Sequence, residues 1–204
     1  MESYAMKFVH ALLGYQASEY DCGPTAAMNA LKLLYKTNEI PPDFLKIVWN
    51  TCLDEYNPEG AAYRRGTSQK SMQFLAYQLN HYGETTGYPI KTEFLEKEDV
   101  TSTNMIPCLE RGGAVVVRCI FAVPHYITLT GIEGNEYRAF DPYYCDDWHL
   151  EGVKWINGHE DSYNRLIDIK HFDLKEDVNY AMGSIDTRAC VLFEKTGEGK
   201  VFLQ

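Results

Sequence analysis

The chain has 204 residues, of which 45 % are hydrophobic and 24 % are charged, a balance compatible with a single globular domain. Its formal net charge of −10 argues against nucleic acid as a partner, because phosphate binding needs clustered lysine and arginine. No stretch approaches the roughly 18 consecutive apolar residues of a membrane span, so we expect no insertion into a membrane.

The six cysteines, at positions 22, 52, 108, 119, 145 and 190, form no C-x-x-C pair and no spacing typical of a zinc site. The first residues, MESYAMKFVHALLGYQ, lack the basic start and the long apolar run of a signal peptide. We therefore expect reduced thiols, a cytoplasmic protein and no bound metal. The cluster of Asp146, Asp147, His149 and Glu151 fits no calcium loop and is interpreted as an acidic surface loop.

Helical patterns dominate the first half of the chain. Ala27, Leu31 and Leu34 recur at helical spacing after Gly23-Pro24, which predicts a helix over Cys22–Tyr35. Three further helices are predicted: one starts at Pro41-Pro42, one runs from Ser68 to about residue 83, and one over 101–111 is interrupted at Pro107. A short strand is predicted at 89–94, before the helix over 101–111.

The pattern changes after Gly112-Gly113, where β-branched and apolar residues become frequent. Strands are predicted over 114–120, 125–132, 137–140, 190–193 and 201–203. A helical half followed by an antiparallel sheet is typical of the α+β class.

Cys22 is predicted to stand at the start of the first helix, with Asp21 at the N-cap position. Unpaired backbone N–H groups and the helix dipole favour an anion there, and the thiolate is the nucleophilic form of cysteine. The side-chain amide of Gln16, six positions earlier, could donate to an oxyanion at the same place. The alternative is a buried structural cysteine, which is common for free thiols.

Gln16, the run DCGPTA that begins at Asp21, His125 in PHYITLTGIEG and Asp141 in AFDPYY together resemble the papain-like cysteine peptidases. They resemble more closely the peptidases that remove double-glycine leaders from bacteriocins, family thirty-nine of the cysteine peptidases. The resemblance implies one papain-like α+β domain over residues 1–204, with a helical part at about 16–111 packed on an antiparallel sheet at about 112–204. A free-standing member is expected, because the sequence lacks the G-x-x-x-x-G-K-[ST] motif that transporter-fused members carry.

The resemblance also implies roles for the four residues. Cys22 would be the nucleophile, His125 the general base, Asp141 the residue that orients His125, and Gln16 a donor to the oxyanion beside the Cys22 N–H. The implied substrate is a peptide or an acyl-amide, and no cofactor is needed. His125 could instead be a core histidine, and Asp141 a turn residue before proline.

Three functions remain open for such a site. The first is hydrolysis of a peptide or amide bond, and the second is acyl transfer through the same thioester. The third is a peptide-binding module that has kept the fold without turnover.

The register of one hairpin decides whether Asp141 can reach His125. With a regular two-residue turn at Gly134-Asn135, Asp141 would lie opposite Thr128 and point away from His125, because side chains alternate along a strand. One bulged residue would place it opposite Ile127, on the same side as His125 and diagonally near it. We therefore predict a bulge near Gly134 or Tyr137.

Two features depart from the papain pattern. His125 follows Cys22 by only 103 residues, which indicates a smaller member than papain. The 63 residues after Asp141 exceed what a minimal leader-trimming domain needs, and the sequence assigns them no function.

Overall fold

The computed structural model describes residues 11–145, 149–159 and 161–197. The helices are α1 (Cys22–Tyr35), α2 (Pro42–Thr51), α3 (Gln69–Thr86), α4 (Ser102–Glu110) and the short α5 (Ile169–Phe172). The strands are β1 (Ile90–Glu96), β2 (Ala114–Phe121), β3 (Val123–Glu133), β4 (Glu136–Phe140), β5 (Val153–Trp155), β6 (Arg165–Asp168) and β7 (Ala189–Lys195). The strand predicted over 201–203 lies outside the described residues.

The seven strands form one antiparallel sheet in the order β1-β7-β2-β3-β4-β6-β5. Its edge strand β1 comes from within the predicted helical part and pairs with β7 near the end of the described chain. No helix in the described part of the chain has both the length and the apolar character needed to cross a bilayer.

Both faces of the sheet are covered, which follows from the alternation of side chains along its strands. Ala114 and Val116 of β2 pack with α1, α2 and α3 in one apolar cluster. Val115 and Val117 point the other way, into a second cluster with α4 and the segment after β6. The predicted α+β class, with a helical half packed on an antiparallel sheet, is confirmed.

The predicted helix bounds are confirmed where the capping residue and the buried residues indicate the same helix. Helix α1 has the predicted bounds, and Ser68 caps α3 by accepting from the Ser71 N–H. Helix α3 continues past the predicted end at residue 83, because Gly83 lies against Ile90 and the helix ends only where Gly87 takes a left-handed conformation.

Helix α4 is not interrupted at Pro107, contrary to the prediction. Proline removes one N–H from the helix, but Met105, Cys108 and Leu109 are buried against the sheet and hold the turn in place. Tertiary packing thus outweighs the local preference.

Candidate active site

Cys22 is the first residue of α1 and is almost buried, with 7 % of its surface exposed. The glycine that follows it is required by packing: a Cβ on Gly23 would lie 2.5 Å from Thr67 Oγ1, too close for any side chain. The hydroxyl of Thr67 in turn accepts from the Leu53 N–H. The start of α1 is therefore seated directly on the segment that leads into α3.

Asp21 occupies the predicted N-cap position, but its carboxylate does not cap α1. It accepts instead from the Ala17 and Ser18 N–H groups of the preceding loop, and from the Ser18 and Thr25 hydroxyls. The first backbone amides of α1 are thus left without a side-chain acceptor, and they face the same end of the helix as Cys22. Such amides attract an anion.

Gln16 lies at the start of this loop. Its backbone N–H donates to the Pro142 carbonyl at 2.8 Å, which joins the loop to the residue after Asp141. Its side-chain Nε2 donates to the Ser18 carbonyl at 2.7 Å, an interaction that uses one of the two amide hydrogens. Oε1 of the same amide is buried without a partner among the described residues, and the predicted donation to an oxyanion would use the second hydrogen.

His125 and Asp141 meet on one face of the sheet. His125 Nε2 lies 2.7 Å from Asp141 Oδ1, and both side chains are buried. The hairpin starts with Glu133 opposite Glu136, but the register shifts by one residue between Gly131 and Leu129. The required bulge therefore exists, although it lies at Thr130 on the incoming strand and not near Gly134 or Tyr137 as predicted.

The electrostatics of the pair favour a charged imidazole. Burial alone would lower the pKa of His125, but the charge and hydrogen bond of Asp141, together with a hydrogen bond to Cys22, raise it from 6.5 to about 10. Since Nε2 is occupied by Asp141, Nδ1 is the nitrogen left for Cys22. The arrangement can therefore hold a proton between the thiol and the carboxylate.

Asp141 is held by residues that no sequence pattern had marked as functional. Its N–H donates to the Asn164 side chain, whose amide returns a hydrogen bond to the Asp141 carbonyl. Its carboxylate accepts from the Tyr143 N–H and from the Tyr180 hydroxyl. Burial would raise the pKa of Asp141, but His125, Tyr180 and the nearby Arg165 together hold it below 3.8.

Asn164, Arg165 and Tyr180 belong to the 63 residues after Asp141 whose function sequence reasoning left unassigned. The pattern gave no signal for them, because a lone asparagine or tyrosine in an irregular segment has no periodicity to interpret. Strands β5 and β6, which carry part of this segment to the site, were also not predicted.

Helix α1 and strand β3 are joined behind the site by one buried hydrogen bond. The hydroxyl of Thr128, three residues after His125, donates to the Ala26 carbonyl at 2.9 Å. Both groups are inaccessible to solvent, so the contact fixes the strand against the helix.

The remaining thiols lack such surroundings. None of the six cysteines forms a disulfide, and burial raises the pKa of Cys52, Cys108, Cys119 and Cys190. Within residues 11–145, 149–159 and 161–197, no three acidic, histidine or cysteine side chains gather in a way that could hold a metal ion. Of the acidic cluster noted in the sequence, Asp146 and Asp147 lie outside these residues.

A cleft of about 530 Å³ opens beside the loop that carries Gln16. Ala17 and Asp21 line it on the loop side, and Leu45 and Trp49 of α2 form its apolar wall. Leu45 and Trp49 are 41 % and 44 % exposed, which is high for large apolar side chains. The cleft is thus open to solvent, and it runs along one side of α1 from Asp21 to Lys32.

Comparison with known proteins gives similarity in structure but not in sequence. No family model matches the chain, and no curated protein matches its sequence. The peptidase domain of Streptococcus ComA, a bifunctional ABC transporter involved in quorum sensing, is 15 % identical with a TM-score of 0.49, over 92 % of this chain and 100 % of that one.

A double-glycine motif protease from an AMS/PCAT transporter, solved in complex with a leader peptide, is 15 % identical with a TM-score of 0.45. The match covers 90 % of this chain and 91 % of that chain. It concerns the course of the backbone, and no residue role is taken from it.

Proposed function

We propose that the chain is a cysteine peptidase-like thiol hydrolase that cleaves a peptide or amide bond. The observation that carries this proposal is the position of His125, bonded to Asp141 through Nε2 and interacting with Cys22 at the start of α1. A buried histidine between a carboxylate and a thiol at a helix N-terminus has the groups that nucleophilic catalysis needs.

In the proposed reaction the Cys22 thiolate attacks the carbonyl carbon of the scissile bond. The negative charge that develops on oxygen is stabilised by the amides at the start of α1 and by the free hydrogen of Gln16 Nε2. The imidazolium of His125 gives its proton to the leaving amine as the bond to nitrogen breaks, which leaves a thioester on Cys22. Neutral His125 then takes a proton from water, whose oxygen attacks the thioester and releases the acid and Cys22.

The cleft beside Gln16 is where we propose that part of the substrate lies. Its apolar wall at Leu45 and Trp49 suits the side chains of a peptide, and Asp21, which lines one end of it, is the residue directly before Cys22. A double-glycine leader peptide is the substrate class that we propose to test first, because the motifs around Cys22 and His125 resemble the peptidases that remove such leaders.

The first experiment needs no substrate. Cys22 is alkylated with iodoacetamide as a function of pH, the label is located by peptide mass, and wild type is compared with His125→Ala. We expect rapid labelling of Cys22 well below pH 8 that is lost in His125→Ala. His171→Ala is the matched control, since the ring of His171 contacts only the Asn179 carbonyl among the hydrogen bonds of the described structure.

The second experiment separates the three functions. Synthetic peptides with a double-glycine site are incubated with wild type and with Cys22→Ala, with and without an added amine, and the products are identified by mass. Cleavage that needs Cys22 supports a hydrolase, while a new amide formed with the amine supports an acyltransferase. Binding without any product, and labelling that ignores His125, would refute the proposal and favour a binding module.

A further inference from the structure

A buried chain of donors continues from Asp141 away from the proposed site. The Tyr180 hydroxyl donates to Asp141 Oδ2 at 2.5 Å, and Arg165 Nε donates to the oxygen of that same hydroxyl at 3.1 Å. Tyr180 is inaccessible to solvent and Arg165 is 4 % exposed. Because the tyrosine oxygen is occupied by Arg165, its proton has Asp141 as its acceptor.

The guanidinium of Arg165 forms no ion pair with a carboxylate in the part of the chain that is described. It donates to the Asn164 carbonyl and to Cys145 Sγ, and it lies 4.6 Å from the centre of the Trp155 ring. A buried cation without a counter-ion is unfavourable. The anion connected to it is Asp141, through one hydroxyl.

We propose that Tyr180 and Arg165 are positioning residues that keep Asp141 ionised and aimed at His125. The inference rests on the proposed function for its catalytic meaning, but the effect on Asp141 is a property of the folded protein alone. It assigns a function to the segment that follows Asp141, which supplies both residues.

The ionisable groups around Asp141 come from several elements. His125 faces it from β3, Arg165 from β6 and Tyr180 from the segment after α5. Cys119 of β2 lies close enough to Asp141 to interact electrostatically, and Cys22 of α1 interacts with His125. Burial and the charge of Asp141 raise the pKa of Tyr180 well above 10, and burial likewise raises the pKa of Cys119. Tyr180 therefore stays a donor and Cys119 stays neutral, so the charges alternate from imidazolium to carboxylate to guanidinium.

The test is the titration of Asp141 in Tyr180→Phe and Arg165→Met. The carboxyl carbon of Asp141 is followed by ¹³C NMR, assigned by its loss in Asp141→Asn, and the acid limb of Cys22 alkylation is measured on the same proteins. In wild type the carboxylate signal should persist below pH 3.8, since the pKa is held below that value. Each variant removes one charged or charge-assisted contact, so the midpoint should rise by about one to two pH units.

Matched controls remove similar groups elsewhere. Tyr126→Phe deletes a buried hydroxyl that has no partner among the described residues. Arg188→Met deletes a second buried arginine, which bonds to the Gly183, Asp173 and Leu174 carbonyls. Neither should move the Asp141 titration, and Arg165→Lys, which keeps the charge, should restore part of the shift.

The outcomes distinguish this inference from the proposed function. Higher midpoints in the two variants and unchanged ones in the controls support the inference, even if wild type cleaves no peptide. A midpoint in folded Tyr180→Phe that coincides with wild type would overturn it, even if wild type is an active peptidase. Should Arg165→Met fail to fold, Tyr180→Phe decides alone, because phenylalanine keeps the ring and its packing.

Discussion

Replacing Asp141 by asparagine removes one negative charge from the buried pair and changes almost no volume. In wild type, burial lowers the pKa of His125 but the charge and hydrogen bond of Asp141 outweigh it, so the value rises to about 10. Without the charge, burial becomes the dominant influence. We therefore expect His125 to lose its proton at a lower pH in Asp141→Asn.

The size of this effect follows from the contact at 2.7 Å between Nε2 and Oδ1. A hydrogen bond to a charged group contributes about 1.5–3 kcal/mol, which corresponds to roughly one to two pKa units. The pKa of His125 should then fall from about 10 to about 8–9. At about pH 9 the imidazolium fraction would decrease roughly twofold for a fall of one unit and roughly tenfold for a fall of two units.

The assay is the ¹H NMR titration of the His125 ring, together with the alkaline limb of kcat/KM for a cleaved peptide. Both should move to lower pH in Asp141→Asn. Asp173→Asn is the control, a partly buried aspartate whose carboxylate accepts from Ser102. If the His125 titration is the same in Asp141→Asn and wild type, Asp141 does not set the charge of His125 and the reasoning is wrong.

The same shift predicts a dependence of stability on pH. The pKa of His125 is raised on folding, so its stabilising contribution is complete below 6.5 and is lost as the pH rises through about 10. The pKa of Asp141 is lowered, so its contribution is present above 3.8 and is lost as the pH falls below that value. The difference in Tm between wild type and Asp141→Asn should be largest at about pH 4–6.5 and shrink towards pH 10.

Three further substitutions test the contacts that hold α1, β3 and the loop beside Cys22 in place. Gly23→Ala places a methyl group against Thr67, so urea unfolding should show a loss of about 1–3 kcal/mol. Thr128→Val deletes the bond to the Ala26 carbonyl, which should cost about 1 kcal/mol of unfolding free energy and lower kcat. Asp21→Asn weakens the bonds that order the loop beside Cys22, so kcat should fall about tenfold with KM little changed.

Each of these has its own control. The double variant with Thr67→Gly, which removes both the Oγ1 and the Cβ that the added methyl group would meet, should lose less stability than the sum of the two single losses, and additive losses would contradict the steric explanation. Thr130→Val, at the bulge, removes a long hydrogen bond of 3.4 Å and should matter less than Thr128→Val. An Asp21→Asn protein with higher KM and normal kcat would show that the loop binds substrate and does not serve the reaction step.

Local signals predicted the elements that carry the proposed nucleophile and base. The period of Ala27, Leu31 and Leu34 gave α1 its observed bounds, since all three residues are buried. The alternation of side chains along the hairpin strands showed that His125 can pair with Asp141 only if the strand register shifts by one residue. The predicted position of the bulge was wrong, although Gly131, directly after Thr130, is a residue type that often marks a bulge inside a strand.

Contacts between segments that are distant along the chain could not be predicted from the sequence. The carboxylate of Asp21 suited an N-cap by type, yet it turns back to the loop amides of Ala17 and Ser18. Tyr180 and Arg165 reach Asp141 only because the segment after β4 folds back over the sheet and pairs β6 with β4. No periodicity or motif in the sequence predicts that this segment folds back over the sheet.

The contacts of Tyr180 also bear on why the chain carries an aspartate and not an asparagine at 141. With asparagine, the amide oxygen could still accept from His125 and the Tyr143 N–H, but the amide nitrogen would face the Tyr180 hydroxyl. That oxygen already accepts from Arg165, so the hydroxyl proton would lose its acceptor and remain buried without a partner.

The two positions should therefore be coupled. Tyr180→Phe removes the hydroxyl that asparagine cannot satisfy, so the double variant with Asp141→Asn should lose less stability than the sum of the single losses. Groups in one hydrogen-bond network typically couple by about 0.5–3 kcal/mol, which urea unfolding of the four proteins of the cycle can resolve. Additive losses would mean that the hydroxyl finds another acceptor, and that the residue type at 141 is set by His125 alone.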